Sequence, residues 1–149
     1  MSFNKLYVHI VICTKRRVKV IPVEKEEIIF RYIWGIIKKC NAHLIRINAA
    51  FDHIHMLVKM PTDLCVADLV REIKRASSIM IKQTLHLPGF EGWSREYAAL
   101  TVSRDGLEAV KQYIINQKEH HTKLSFLEEY YHMMTEEERA AFKESWFDV

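Results

Sequence analysis

The chain has 149 residues, 49% of them hydrophobic, with only four glycines and three prolines, which suits one compact core and argues against linker-joined or disordered architectures. Its cysteines, Cys13, Cys40 and Cys65, are odd in number and form no CxxC pair, so neither a disulfide framework nor a thiolate zinc site is read, and all three are expected as small buried hydrophobes. The net charge of +3 is unevenly spread: from Leu127 onward seven acids face two bases, while residues 1–126 carry 20 bases against 12 acids, an excess that allows a polyanionic partner.

Lys5–Thr14 is β-branched and aromatic and reads as a buried strand. Its apolar run is too short to span a bilayer, and Lys15, Arg16 and Arg17 follow it rather than precede it, unlike a signal peptide. The expectation is a soluble, cytoplasmic protein with no membrane partner. From Val23 to Asn41 acids lead (Glu24, Glu26, Glu27) and lysines close (Lys38, Lys39), the order a helix dipole favours, and Ile29, Ile33, Ile36 and Ile37 form an apolar stripe. His43–Ala50 and His53–Met60 predict an antiparallel hairpin. Beyond Pro61, with Thr62 or Asp63 as cap, a helix is predicted with Leu69, Val70, Ile73, Ile79 and Met80 facing inward and Arg71, Lys74, Arg75 and Lys82 on the other side. A strand over Tyr97–Ser103 follows. Asp105 and Glu108 have capping-box spacing for a helix running to about His121, and the remainder reads as one or two short acidic helices appended to the core.

Strand, helix, strand, strand, helix, strand, helix is a split βαβ order. It predicts an α+β, ferredoxin-like antiparallel sheet with helices packed on one face. The chain is read as a single domain over 1–149, with a core of about 3–126 and an acidic helical extension of about 127–149.

Two patterns could carry chemistry. Strand periodicity puts His53 and His55 on one face and Ile54 and Met56 on the other, and imidazoles about 6–7 Å apart on a strand can share a metal ion. Polar residues on the wet side of a strand would look the same. Tyr113 and Gln117 are spaced i, i+4, so a hydroxyl and an amide share a helix face, as on any amphipathic helix. With two imidazoles, the neutral amide oxygen of Gln117 would make a three-ligand site suited to Mg²⁺ or Mn²⁺ with a phosphate oxygen.

The conjunction of "DHIHMLV" (52–58) with "YIINQKEHH" (113–121) resembles the HUH-superfamily transposases that use a single tyrosine, a family of small insertion sequences with relatives associated with repetitive palindromic elements. "YVHIVICTKRR" (7–17) and "GWSREYAALTVS" (92–103) are similar to its first strand and to the aromatic segment before its tyrosine helix. Trp93-Ser94 and Glu96-Tyr97 depart from the Trp-Gln and Gly-Tyr pairs common in the family.

The resemblance implies metal-binding His53 and His55, the nucleophile Tyr113, and Gln117 as third metal ligand. It implies Mg²⁺- or Mn²⁺-dependent cleavage and rejoining of single-stranded DNA at hairpin-flanked element ends through a covalent 5′-phosphotyrosine, by a homodimer whose sites are shared between subunits in some members. Lys15, Arg16, Arg17, Lys19, Arg71, Lys74, Arg75 and Lys82 are the candidate phosphate contacts to hairpin DNA, and Trp93 is a candidate for base stacking. Two other readings stand beside this one. A domesticated hairpin-binding protein would bind without cutting, and a small zinc hydrolase would use the two histidines but shows no acidic third ligand near them in sequence.

Overall fold

The structure, a computed structural model, describes residues 3–119 and 126–141. Its elements run β1 (Tyr7–Thr14), a 3-10 turn (Lys15–Arg17), α1 (Val23–Lys39), β2 (His43–Ala49), β3 (His53–Lys59), α2 (Val66–Met80) continuing into a π turn (Ile81–Leu85), β4 (Trp93–Val102), α3 (Leu107–Ile115), α4 (Phe126–His132) and α5 (Glu136–Ala141). The sheet order is β2-β3-β1-β4, with every neighbouring pair antiparallel. This is the ferredoxin-like α+β arrangement the element order predicts, except that the helices do not share one face: α1 and α2 cover one side of the sheet, and α3 packs on the other, over β2 and β3.

β1 and β3 are the two inner strands and are covered on both faces, which is why all eight residues of β1 and six of seven in β3 are buried. Alternation divides their side chains. Ile10, Ile12, Ile54, Met56 and Val58 join the main core with Ile29, Ile33 and Ile37 of α1 and Leu69, Val70 and Ile73 of α2. His9, Val11, Cys13, His53 and His55 are left for the opposite face. There Leu127 and Met133 pack against Val11, Cys13 and Ala98, so the first part of the acidic extension lies on the sheet.

Local details depart from expectation where tertiary packing overrides short-range signals. α2 starts later than Thr62 or Asp63 would set, with Cys65 at its N-cap and no side-chain capping bond. Ile79 is 44% exposed because the buried stripe runs Leu69, Ile73, Ser77, Met80, which leaves position 79 on the outer side. Cys13 is buried, but Cys40 is only half-buried and Cys65 is exposed at the start of α2. β4 begins four residues earlier than predicted, where Trp93 pairs across from Thr14 after a bulge in register. α3 has Gly106 rather than Asp105 at its N-cap, with the Gly106 N–H donating to Ser103 Oγ at 3.0 Å. It stops at Ile115, helical structure resumes over 117–119, and the predicted end near His121 lies outside the described residues. Among the described residues no helix is long and apolar enough to cross a membrane.

Candidate active site

β3 presents His53 and His55 on the face away from α1 and α2, both fully buried, with ring centroids 5.0 Å apart. Each imidazole is oriented from its Nδ1 side. His53 Nδ1 lies 2.6 Å from Asp52 Oδ1, and His55 Nδ1 lies 2.8 Å from Nε2 of His9 on the adjacent strand β1. Nε2 of both rings therefore faces the side where the rings converge; without a metal His53 shares its Nε2 proton with Glu129, and a cation bound there would take that proton's place.

The space between the two Nε2 atoms faces Glu129 of α4. Its Oε2 is 3.1 Å from His53 Nε2 and its Oε1 is 3.2 Å from His55 Nε2. Tyr113, on α3, donates its hydroxyl hydrogen to the same Oε1, and its ring lies 5.8 Å from that of His55. Gln117 Nε2 donates to Oε1 at 2.8 Å. Thus Tyr113 and Gln117 converge as the i, i+4 spacing predicts, although α3 ends between them.

The docking of α3 explains that convergence. Asn48 Nδ2 donates to the carbonyls of Ile114 (2.9 Å) and Ile115 (3.0 Å), which are among the last carbonyls of the helix. Lys118 Nζ, just beyond, donates to the Ala49 carbonyl (2.7 Å) and pairs with Glu26 (2.7 Å).

Burial and charge tune the group. His53 is held up at about 9, because hydrogen bonds to Asp52 and Glu129 outweigh the burial that opposes its charge. His9 is pushed down to about 3, first by burial and then by His55. Tyr113 is raised by burial first and then by its hydrogen bond to Glu129 and that carboxylate's charge, so its phenol is protonated at neutral pH. Burial pushes Glu129 up, but hydrogen bonds from His53 and His55 prevail and hold it well below the usual carboxylate range.

The group fits a divalent cation. The ligand atoms of His53, His55 and Glu129 all lie within 4.8 Å of one another. Gln117 Oε1 is buried with no hydrogen-bond partner among the described residues, a hard oxygen that a cation would satisfy. The donors are mixed imidazole and oxygen, which does not by itself choose the metal.

The basic residues gather elsewhere. Lys15, Arg71, Lys74, Arg75, Lys82 and Trp93 line a cleft of about 590 Å³ between α2 and the start of β4. Trp93 and Tyr97 pack into the main core there, so this cleft lies on the face of the sheet opposite the histidines, at its β4 edge. Gly92, at φ +116°, accepts the Lys15 N–H at 2.8 Å and so joins the basic turn to this wall. Lys74 Nζ sits 5.0 Å over the Tyr97 ring, and the Trp93 indole N–H is bound to Ser77 Oγ at 2.9 Å. Arg16 pairs with Glu91 beside the cleft, whereas Arg17 and Lys19 do not line it. A second, apolar cleft of about 350 Å³ opens beside Tyr113 between β4 and α3, with Met133 in its wall.

Three members of the buried group are absent from the sequence prediction. Asp52 and His9 carry weak signals, an acid next to a histidine pair and a histidine at an alternate position of an apolar strand. Glu129 carries none, since it is one acid among seven in the extension. The expectation that no acidic group accompanies the histidines holds along the sequence but not in space: Glu129, 74 residues beyond His55, meets both imidazoles.

Residues 2–117 match the family model described as "Transposase IS200 like". The transposases for insertion sequence element IS200 of Salmonella typhimurium and of Salmonella typhi are each 27% identical over 116 residues, covering 74% of this chain and 76% of theirs. Among solved structures, a candidate transposase from Deinococcus radiodurans R1 superposes with a TM-score of 0.62 at 27% identity, over 78% of this chain and 93% of that one. A REP-associated tyrosine transposase bound to a REP hairpin shares the fold, with a TM-score of 0.61 at 13% identity over 81% of this chain and 74% of that one. The paired histidines on an inner strand, the tyrosine helix docked above them and a family match over most of the chain lead to one conclusion: this chain belongs to the IS200-like transposase family.

Proposed function

We propose that the chain, acting in the cytoplasm as a single transposase domain, cleaves and rejoins single-stranded DNA at hairpin-flanked ends through a covalent 5′-phosphotyrosine on Tyr113. The observation that carries this reading is the convergence of the Tyr113 hydroxyl and the Nε2 atoms of His53 and His55 on one buried carboxylate. A phosphate drawn to that point would meet nucleophile and metal ligands together.

His53, His55 and Gln117 would hold Mg²⁺ or Mn²⁺, which when bound supplies charge stabilisation on the nonbridging phosphate oxygens. Asp52 and His9 keep the two imidazoles turned toward the phosphate. Asn48 and Lys118 hold the end of α3 so that Tyr113 faces it. The tyrosine oxygen, once deprotonated, bonds to phosphorus. The bond from phosphorus to the 3′ oxygen breaks, and that oxygen takes a proton to leave as a 3′-hydroxyl. Rejoining is the reverse with a different 3′-hydroxyl, so the energy of the phosphodiester is retained. The apolar cleft beside Tyr113 offers room for an unpaired nucleotide, and a duplex would not reach this pocket.

The structural neighbour bound to a REP hairpin supports hairpin DNA as the partner. Lys15, Arg71, Lys74, Arg75 and Lys82 are the residues proposed to grip its phosphates, with Arg16, Arg17 and Lys19 on the adjoining turn. The reading includes a homodimer. A single chain nonetheless already places its own Tyr113 beside its own histidines.

The test is covalent capture. With Mn²⁺ and single-stranded DNA from the hairpin regions flanking its coding sequence, the wild type should give a denaturation-resistant DNA adduct. Tyr113→Phe should lose the adduct and keep DNA binding. An undiminished adduct in the variant would remove Tyr113 from the role, and binding with no adduct under any divalent ion would favour the domesticated binder.

A further inference from the structure

We infer that Glu129 is itself a metal ligand, so that a divalent cation on the histidines fastens helix α4 of the C-terminal extension to the sheet. This rests on the metal reading of His53 and His55 given above.

Four observations carry it. First, the spacing is that of co-ligands. Two atoms each about 2.1 Å from a metal, at angles between octahedral and tetrahedral, stand about 3.0–3.4 Å apart. The two carboxylate oxygens of Glu129 stand 3.1 and 3.2 Å from the two Nε2 atoms, inside that range, and the three groups' ligand atoms all lie within 4.8 Å of one another, so the side chains would close in on a cation held among them. Second, both imidazoles are already committed through Nδ1, leaving Nε2 as the ligating atom on the Glu129 side. Third, packing on both sides aims the carboxylate: Leu127 of α4 and Met133, just past its end, rest against Val11, Cys13 and Ala98, and Glu129 between them is only 2% exposed. Fourth, the family match ends at residue 117, so this ligand would come from a segment beyond the matched residues.

The consequence is a change in the character of the site. Two imidazoles and an amide oxygen are neutral. A carboxylate adds a hard anionic donor, which raises affinity for Mn²⁺ and Mg²⁺ and couples cation binding to the docking of α4.

The experiment uses the full chain without DNA, so no activity is read. Mn²⁺ binding is measured by isothermal titration for the wild type, Glu129→Gln and His53→Ala, and hydrogen exchange over 126–132 is followed with and without Mn²⁺. Glu129→Gln should weaken Mn²⁺ binding at least about tenfold, the lower end of what even outer-shell partners contribute. Mn²⁺ should slow exchange in α4 of the wild type and leave α4 of Glu129→Gln unchanged. If Glu129→Gln binds Mn²⁺ as tightly as the wild type, or more tightly, the carboxylate is not a ligand and the inference falls. An α4 in the wild type that gains no protection from Mn²⁺ overturns it too, whether or not the variant folds. Undiminished Mn²⁺ binding by His53→Ala would instead refute the histidine site on which the inference stands.

Discussion

Asn48→Ala tests whether the docking of α3, rather than its sequence spacing, places Tyr113. Asn48 is half-buried on β2, and its amide donates two hydrogen bonds, at 2.9 and 3.0 Å, to the carbonyls of Ile114 and Ile115. A net hydrogen bond contributes about 0.5–1.5 kcal/mol, so losing the pair should cost about 1–3 kcal/mol. At about 2–4 °C per kcal/mol for a chain of this size, a central loss of about 2 kcal/mol lowers Tm by about 4–8 °C. The residue next to Tyr113 loses its tether, so adduct formation should slow while DNA affinity holds. Asn48→Asp sharpens the comparison: it keeps the size and an oxygen for Lys118, now 3.1 Å from Asn48 Oδ1, but turns an acceptor toward helix carbonyls. It should therefore be no better than alanine. Urea unfolding and an adduct time course on denaturing gels read both quantities. Stability within about 0.5 kcal/mol of wild type together with an unchanged adduct rate for Asn48→Ala would show that α3 is held by something else.

Three further outcomes follow from the site and the cleft. Without metal, stability should peak near pH 6.5 and fall on both sides. His53, raised from 6.5 to about 9, contributes stability present below pH 6.5 and lost as pH rises through 9, an effect of up to about 3 kcal/mol at 1.36 kcal/mol per unit; His9, lowered to about 3, stays neutral in the fold and penalises it as pH drops below 6.5. Urea titrations in EDTA check this, and a flat profile between pH 6 and 9 contradicts it. Lys74→Ala and Arg71→Ala should weaken hairpin binding similarly for different sequences and each reduce the slope of log affinity against log salt by about one, as expected of single phosphate contacts; an unchanged slope removes the cleft from the interface. Metal removal by EDTA should abolish the adduct while leaving hairpin binding measurable, and an adduct that survives chelation contradicts the metal-dependent reading.

Regular patterns travelled well from sequence to fold. The period of two in "HIHMLV" put His53 and His55 on one face and Ile54 and Met56 in the core, and the alternation of β1 separated Ile10 and Ile12 from Val11 and Cys13. Short-range signals travelled badly. Thr62, Asp63 and Asp105 have the chemistry of caps, yet α2 and α3 begin where packing of Leu69 and of the Ser103 turn sets them. Ile79 looks like a core residue until the bend of the buried stripe through Ser77 leaves it outside.

The candidate site divides in the same way. His53, His55, Tyr113 and Gln117 were legible because their spacings fix shared faces, two along a strand and four along a helix, and because the two motifs together resemble the family's pattern. Asp52, His9, Asn48 and Glu129 were not, since what they do depends on which strand lies beside which and on where α4 lands. By itself, the sequence determined the element order, the faces of the inner strands and the family's histidine and tyrosine pattern, all set by local periodicity. Only the tertiary structure decided that a carboxylate 74 residues beyond His55 meets both imidazoles and the tyrosine, because contacts between distant segments follow from packing geometry that no local pattern encodes.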